Sequence, residues 1–176
     1  NASAPGSIKA EPQAWLEIHP DNTVTLHMPK VEMGQGIHTA LAQIAAEELE
    51  LNWEQIVVVS APTSHMLDSF GTTGSSTISS LFTPLREAAA TMRDMLQNKA
   101  ASLWTIDKSQ AIAMNGEIFQ QQDPAMKLSY AEIIQQSNSA WVIPKEKPAL
   151  KPISEYRLIG QDMPRVDLPK KLTGQA

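Results

Sequence analysis

The pattern of apolar and polar positions begins with two short alternating runs, which are followed by a helical stripe. Alternation through residues 15–18 and 24–28, separated by a Pro-Asp-Asn turn, predicts a β-hairpin. Between Ile37 and Leu49 the apolar residues recur every three or four positions, which predicts an amphipathic helix. On that helix three carboxylates are predicted on the opposite, solvent-facing side: Glu47, Glu48 and Glu50.

The middle of the chain alternates between strand and helix signals. The β-branched run at residues 55–62 predicts a strand buried on both faces, and an apolar stripe from Leu81 to Trp104 predicts a long helix. An Asn-Gly pair at 115–116 predicts a hairpin with a type I′ turn. Ser129, with Glu132 three positions later, predicts a capping box that opens one short helix.

The two ends of the chain differ from this middle in composition. Residues 1–13 are small, polar and aperiodic, which favours a disordered leader remnant or expression scar. Residues 140–176 hold five prolines and no helical period, which predicts an extended arm. An α/β domain at 14–139 remains. Its order β-β-α-β-α-β-β-α predicts an α/β (α+β) fold in which two main helices cover a small mixed sheet.

Charge and composition exclude several classes of protein. A net charge of −5 and a pI near 5.3 argue against a nucleic-acid groove or an anionic membrane surface. No apolar run approaches the roughly 18 to 20 residues of a membrane span. The chain has no cysteine, so these 176 residues hold no iron–sulfur cluster, no cysteine-type zinc site and no disulfide.

Candidate chemistry concentrates at two helix starts that are flanked by glycine. The first is Gly34-Gln35-Gly36, and the second is the stretch GTTGSST at residues 71–77. The first amides of a helix have no intrahelical partner, and glycine lets a ligand approach them closely. Gln35 can donate and accept at once, which suits the edge of a heterocycle. Ordinary helix capping explains each loop equally well on sequence logic alone.

Two further residues near the first loop are weaker candidates. Glu32 could act as a general base, but a single carboxylate is no proof of catalysis. His38 has no second histidine at metal-binding spacing, so a surface or hydrogen-bonded histidine is the simpler interpretation. No catalytic or metal-binding residue is therefore predicted. The residues alone leave two alternatives to an enzyme: a non-catalytic anion- or nucleotide-binding module, and a structural or interaction domain.

A family resemblance favours one of these hypotheses. It is carried by residues 29–62, PKVEMGQGIHTALAQIAAEELELNWEQIVVVSAP, by GTTGSSTISSLFTPLREAAA, by NGEIF followed by LSYAEI, and by the terminal YRLIGQDMPRVDLPKKLTGQA. In this order they resemble the molybdopterin-binding large (beta) subunit of the xanthine oxidase/aldehyde oxidase family of molybdenum hydroxylases. The isoquinoline 1-oxidoreductase type is the most similar. The resemblance covers nearly everything from Ala14 to Ala176.

The resemblance implies a cofactor, a partner and a set of site residues. In that family the large subunit holds molybdopterin cytosine dinucleotide, and a small partner subunit supplies two [2Fe–2S] clusters. Water is the oxygen source for hydroxylation of N-heterocycles or oxidation of aldehydes. Transferred to this sequence, the resemblance places these residues at the cofactor: Gly34, Gln35, Gly36, Gly74, Ser75, Ser76, Thr77 and Ile78. Relatives often carry a second small hydroxyl residue where Ile78 stands, so its contact is expected through the backbone.

The resemblance also implies that this chain is incomplete as an enzyme. The family's catalytic glutamate and its other cofactor loops lie downstream in a subunit several times this length, and the arm leads into the domain that follows. The chain is thus expected to be an N-terminal fragment that is inert alone and does not hold the cofactor by itself. Members of this subtype often carry a twin-arginine leader, which favours the periplasm, with the cytoplasm as the alternative.

Overall fold

The protein consists of two three-stranded sheets joined by helices. A computed structural model describes residues 15–60, 72, 75–137 and 141–174, so the predicted leader at 1–13 lies outside the described residues. The first sheet has the order β1 (Leu16–Ile18), β2 (Val24–Met28), β3 (Ile56–Ser60). Strands β1 and β2 form the predicted antiparallel hairpin, and β3 runs parallel to β2. This sheet is therefore mixed, as predicted.

Two helices cover one face of the first sheet. Helix α1 (Ile37–Glu48) packs against helix α2 (Thr77–Trp104), whose 28 residues span about 42 Å at 1.5 Å per residue. Their apolar stripes meet the inward side chains of the sheet in one core. The largest fully buried side chains of that core include Trp15, Leu26, Met28, Leu41, Leu49, Leu81, Leu85 and Leu96. The predicted α/β fold class is confirmed.

The predicted environment of β3 was wrong. This strand is an edge of the described sheet, and Val57 and Val59 are 41% and 43% exposed. Only alternate side chains of the run point toward the helices, beginning with Ile56. A β-branched run bounded by turns looks the same whether one face or both faces are covered, so the pattern could not settle this.

The second sheet is larger than the predicted hairpin. Strands β4 (Ala111–Met114) and β5 (Glu117–Gln120) meet at the Asn-Gly turn, whose φ values of 55° and 76° are those of the predicted type I′ turn. A third strand, β6 (Lys127–Ser129), pairs with β5 and was missed because it has only three residues. Helix α3 (Tyr130–Gln136) follows it and begins with the predicted Ser129 capping box.

Polar contacts fix the second sheet to the first. The Tyr130 hydroxyl donates a 2.6 Å hydrogen bond to the Leu49 carbonyl at the end of α1, and the Tyr130 side chain is fully buried. Asn22, in the first hairpin turn, donates to the Gly116 carbonyl at 3.0 Å and accepts from the Ala131 amide at 3.2 Å. The two hairpin turns and the start of α3 are thereby held together.

The C-terminal arm packs along helix α1, in the direction opposite to the helix. We call its residues 151–167 the strap. Three polar residues one helical turn apart on α1 receive it: Glu47 accepts from three strap amides, Gln43 donates to two strap carbonyls, and the Thr39 hydroxyl accepts from the Val166 amide at 3.2 Å. The arm contains a single 3-10 turn (Ile153–Glu155) and ends in helix α4 (Leu168–Leu172), one turn of α-helix; neither was predicted.

The strap overturns the predicted placement of the α1 carboxylates. Glu47 and Glu48 were predicted to face solvent, yet both are fully buried. Glu47 accepts from Lys151 Nζ at 2.6 Å, and Glu48 pairs with Arg86 at 2.6 Å and Arg93 at 3.4 Å. The polar side of a helix can be buried when a second segment covers it. Here the strap covers that side of α1 and brings Lys151 to pair with Glu47. The helix was predicted correctly, but the prediction that its carboxylates face solvent was wrong for Glu47 and Glu48.

The helices that the structure describes include none that is both long enough and apolar enough to cross a membrane.

Candidate functional site

The two glycine-flanked loops, whose residues the family resemblance places at one cofactor, meet in space. We call residues 31–36 the first loop and residues 71–76 the second loop. The Val31 amide donates to Thr72 Oγ1 at 2.8 Å, which joins the two loops directly. Between them lies a cleft of about 540 Å³. It is lined by Met33, Gln35, Ile37, Thr72, Ser75, Thr77 and Ile78.

Most of the predicted site residues lie at this cleft. Gln35, Ser75, Thr77 and Ile78 line it, and both helices contribute their first residues. Gly34 and Gly36 shape the first loop, with φ values of 104° and 76° that side chains rarely adopt. Ser76 is the N-cap residue of α2. Gly74 lies outside the described residues.

The N-terminus of α1 is already filled by a carboxylate from its own loop. Glu32 Oε1 accepts from the amides of Gly34 and Gly36, both at 2.9 Å. Its Oε2 accepts from the His38 amide at 3.1 Å. These are the amides that an incoming oxyanion would use, and here the Glu32 carboxylate occupies them. Glu32 caps the helix from inside the protein.

The environment of Glu32 favours its ionised form. Partial burial by itself raises the pKa of this carboxyl. The amide hydrogen bonds from Gly36, His38 and Gly34 lower it, and together with the His38 charge they hold the pKa below its usual value. A carboxylate with a lowered pKa is a weak base. Glu32 is therefore a structural cap, and the sequence-level possibility that it acts as a general base loses its support.

Gln35 is oriented by its own loop. Its Oε1 accepts from the Met33 amide at 2.5 Å, and its Nε2 donates to the Val31 carbonyl at 3.0 Å. An amide side chain has two N–H donors and two acceptor lone pairs, so one of each is left for a ligand. The side chain lines the cleft in this fixed orientation. It can present a donor and an acceptor together.

The N-terminus of α2 is built differently. Its N-cap Ser76 makes no side-chain capping hydrogen bond, and Ser75 before it has a left-handed backbone with φ of 52°. Thr77, the first helical residue, is buried at the cleft, whereas Ser75 is exposed. Hydroxyls and the start of a helix therefore face the cleft here. The second loop retains the character that the sequence predicted for both.

His38 is a hydrogen-bonded histidine, as its isolation in the sequence favoured. Its ring is buried, and Nε2 lies 3.2 Å from the Lys30 carbonyl oxygen. Across the residues that the structure describes, no group of three or more His, Asp or Glu side chains is arranged to hold a metal ion.

The strap adds a residue to the site that sequence reasoning missed. Arg165 Nη1 donates to the Gly34 carbonyl at 3.4 Å, and its Nη2 lies 3.7 Å from Glu32 Oε1. The same guanidinium is held by Asp167 through Nε at 2.9 Å and Nη2 at 2.7 Å. Arg165 lies about 130 residues from the first loop in sequence, and only the Arg-x-Asp spacing gave a local signal that it is oriented.

The chemistry of the cleft fits a flat, polar and uncharged ring system. Among the described lining residues none is charged; three carry hydroxyls, one carries an amide, and three are apolar. Apolar walls with a few convergent polar groups are typical of small-molecule sites. A diphosphate group would find no cationic side chain among them. The lining therefore matches a pterin edge better than it matches the phosphates of a dinucleotide.

The fold and the cleft together define an α/β cofactor-binding domain. More specifically, the chain belongs to the molybdopterin cofactor-binding domain family, whose family model matches residues 2–170. The family that the sequence motifs predicted is thereby confirmed.

Similar proteins of known activity are much longer than this chain. It is 36% identical over 168 residues to a nicotinate dehydrogenase subunit of Pseudomonas putida, covering 92% of the chain and 13% of that protein. It is 29% identical to the beta subunit of isoquinoline 1-oxidoreductase of Brevundimonas diminuta, covering 99% of the chain and 27% of that protein. A membrane-bound aldehyde dehydrogenase of Gluconacetobacter polyoxogenes is 31% identical, and the match covers 99% of this chain and 23% of that protein.

Solved structures agree on the fold. Quinoline 2-oxidoreductase from Pseudomonas putida superposes with a TM-score of 0.54 at 25% identity, over 68% of this chain and 15% of that one. Carbon monoxide dehydrogenase from Oligotropha carboxidovorans superposes with a TM-score of 0.57 at 24% identity, over 77% of this chain and 17% of that one.

Proposed function

We propose that this chain is the N-terminal part of the molybdenum-cofactor-binding subunit of an oxidoreductase that hydroxylates N-heterocycles or oxidises aldehydes. The observation that supports this most strongly is the convergence of both loops on one uncharged cleft. A structural domain needs helix caps, but it has no need for two of them to share a cleft with an oriented amide and three hydroxyls. The similar isoquinoline and aldehyde oxidoreductases favour these two substrate classes.

The proposed contacts follow from the side chains at the cleft. Gln35 pairs with the edge of the pterin through its spare donor and acceptor. Thr77 and Ser75 donate from the opposite side, and the backbone around Ser76 and Ile78 supplies amides. Gly34 and Gly36 hold the first loop in the shape that orients Gln35, and Gly74 is assigned to the cofactor from the family resemblance alone. The bound cofactor supplies the redox chemistry; these residues only bind and orient it.

The form of the cofactor and the remaining parts of the enzyme are proposed from the family resemblance. Molybdopterin cytosine dinucleotide is the expected form, and a small [2Fe–2S] subunit is the expected electron-transfer partner. Because the described cleft lining offers the phosphates no positive charge, we place their binding groups outside this cleft. The family resemblance places the catalytic glutamate downstream of this domain. A periplasmic location is proposed, with the cytoplasm as the alternative.

The cleft assignment is tested by removing one hydroxyl from the full-length protein. Thr77→Val keeps the shape of the buried side chain but deletes its donor. Loss of one such hydrogen bond, worth about 1 kcal/mol, should lower cofactor affinity roughly fivefold. The measurement is molybdenum and pterin content after extensive dialysis. Gln136→Ala, on the exposed end of α3, is the control and should retain wild-type content. Equal content in both variants would show that the cleft does not hold the cofactor.

The 176-residue chain by itself should be inert. A few neutral hydrogen bonds of about 0.5–1.5 kcal/mol each do not offset an association cost of roughly 4–15 kcal/mol. Elemental analysis of the purified chain should find no stoichiometric molybdenum, and dye-coupled oxidation of N-heterocycles and aldehydes should stay at background. Stoichiometric molybdenum with turnover would mean that the whole active site lies within these residues.

A further inference from the structure

We propose that the strap is a positioning element for the first loop, and that Arg165 is the residue through which it acts. The loop would then owe its shape partly to a segment about 130 residues away in the sequence. The consequence for cofactor binding rests on the function proposed above, whereas the effect on the loop itself does not.

The strap is anchored firmly at the far end of α1. The successive amides of Arg157, Leu158 and Ile159 donate to Glu47 Oε2 at 2.8, 2.6 and 2.9 Å. Lys151 Nζ donates to the other oxygen of Glu47 at 2.6 Å and lies 2.8 Å from Glu50. Three consecutive amides on one buried carboxylate fix the path of the backbone as well as its distance from the helix. The strap is therefore rigidly positioned before it reaches the first loop.

From this anchor the strap follows α1 toward its N-terminus. Gln43 Nε2 donates to the carbonyls of Leu158 and Gln161 at 3.0 and 2.9 Å, and Thr39 accepts from Val166. Leu158, Ile159 and Val166 pack against the core of the domain. These contacts leave Arg165 little freedom of position. The guanidinium is then oriented by its two hydrogen bonds to Asp167, which in turn pairs with Lys171 at 2.5 Å.

The first loop depends on such outside support. It contains two glycines with positive φ, and ordering glycine costs more backbone entropy than ordering any other residue. Its two large apolar side chains do not anchor it, because Val31 and Met33 are 61% and 69% exposed. What holds the loop is polar: the Glu32 cap, the Gln35 amide and the contact with Thr72. Arg165 contacts this network at the Gly34 carbonyl and at Glu32.

Hydrogen–deuterium exchange on the 176-residue chain tests the positioning role without any cofactor. Arg165→Gln should speed exchange in a peptide spanning residues 31–38 by about threefold, because the loop loses its contacts at the Gly34 carbonyl and at Glu32. Arg157→Gln is the matched control. That arginine is also on the strap and half-exposed, but its guanidinium pairs with Glu50 and Asn115, far along α1 from the first loop. It should leave exchange in 31–38 unchanged.

The conservative variant separates positioning from general destabilisation. Arg165→Lys keeps the positive charge near Glu32 but loses the fixed fork that reaches Asp167 and Gly34 together. Exchange in 31–38 should fall between wild type and Arg165→Gln, while the melting temperatures of all three proteins agree within about 4 °C, the shift that roughly 1 kcal/mol produces in a chain of this size. Identical exchange in 31–38 for wild type and Arg165→Gln would overturn the proposal, as would an equal acceleration in Arg157→Gln.

Cofactor content of the full-length protein keeps this inference distinct from the proposed function. If both hold, Arg165→Gln lowers molybdopterin retention together with Thr77→Val. If the loop assignment alone is correct, exchange in 31–38 rises in Arg165→Gln while the cofactor content of both variants equals that of wild type. If the cleft binds the cofactor but the strap does not position the loop, only Thr77→Val loses cofactor, and exchange in Arg165→Gln stays at the wild-type rate.

Discussion

The N-termini of α1 and α2 look alike in sequence, yet the structure gives them opposite character. Each follows a loop of glycine and short polar residues. At α1 the first amides are taken by the carboxylate of Glu32, with Arg165 close by, so the end of the helix is charged and closed. At α2 the N-cap makes no side-chain capping bond, and the first residue, Thr77, faces an uncharged cleft. The start of α1 is closed by a carboxylate of its own loop, whereas the described start of α2 presents Thr77 to the cleft.

This difference teaches what a glycine-flanked helix start can and cannot indicate. The positive φ values of Gly34 and Gly36 let the first loop turn so that its own Glu32 accepts from their amides. The part of the first loop that faces the cleft is the side chain of Gln35. Ligand contact is therefore expected through a side chain at α1 and through hydroxyls and backbone at α2.

The largest expected effect comes from the buried carboxylate Glu47 and its partners on the strap. Glu47→Ala would leave Lys151 with Glu50 alone and strand three strap amides. Breaking one partner of a buried ion pair costs about 3–5 kcal/mol, and urea unfolding should show a loss of at least about 3. Glu117→Ala, from a largely exposed pair with Lys127, should cost less than about 1 kcal/mol. A similar loss in both variants would mean that the strap adds nothing.

Lowering the pH should have an effect of intermediate size, because it removes the stability contributed by the carboxylates at α1 and leaves the start of α2 unaffected. Burial raises the pKa of Glu47, but the Lys151 hydrogen bond and the strap amides outweigh it and lower that pKa; the pKa of Glu32 is lowered as described above. The unfolded chain, in which glutamate pKa values are about 4.3, therefore binds more protons than the folded chain as the pH falls. The stability that these carboxylates contribute is complete above about pH 5.5 and is lost as pH drops through the lowered folded pKa values.

A pair of variants measures this separation. The stability gap between wild type and Glu32→Gln should be widest at neutral pH and should narrow between about pH 5 and 3, because the wild-type carboxylate becomes protonated. The gap between wild type and Thr77→Val should not change with pH, since a hydroxyl does not titrate there. Urea midpoints across this range give both gaps. A constant Glu32 gap would show that charge is unimportant at α1.

The smallest expected effects come from opposite substitutions in the two loops. Gly36→Ala forces a side chain into a left-handed backbone, although nothing lies within 4 Å of the added carbon, so its cost should be conformational alone, about 1–2 kcal/mol. Ser75→Gly relieves a left-handed backbone but frees the unfolded chain, so it should change stability by less than about 1 kcal/mol. Thermal unfolding measures both. A larger loss for Ser75→Gly would indicate that its hydroxyl holds the second loop.

Local rules recovered most of the fold from the sequence. The Asn-Gly turn, the Ser129 capping box and the helical stripes each depend on residues within a few positions of one another, and each was found where it was predicted. The cofactor family and the meeting of the two loops were also predicted correctly, because the EMGQG motif opens a helix and the GSST motif opens the next. The residues assigned to cofactor contact remain a prediction.

The errors over Glu47, Glu48 and Arg165 share one physical origin, which is pairing with residues distant in the sequence. Glu47 and Glu48 were assigned to solvent because no local pattern shows that residues 151–159 fold back on them. Glu32 was considered as a base because its three amide partners matter only after the loop has turned. Arg165 was not considered at all. The burial of these charges depends on partners that lie 38 and 45 residues away for the Arg86 and Arg93 contacts of Glu48, and 104 residues away for the Lys151 contact of Glu47.

Strand β3 also bears on how the protein behaves in concentrated solution. Its five residues, IVVVS, contain no charge and no proline, and β2 is its one neighbour in the described sheet. Exposed, uncharged, β-branched edges are the surfaces on which separate molecules add strand to strand. The strand has no lysine next to the exposed Val57 and Val59 that would oppose such pairing between molecules. We therefore expect β3 to be the first place where an introduced charge reduces self-association of the chain.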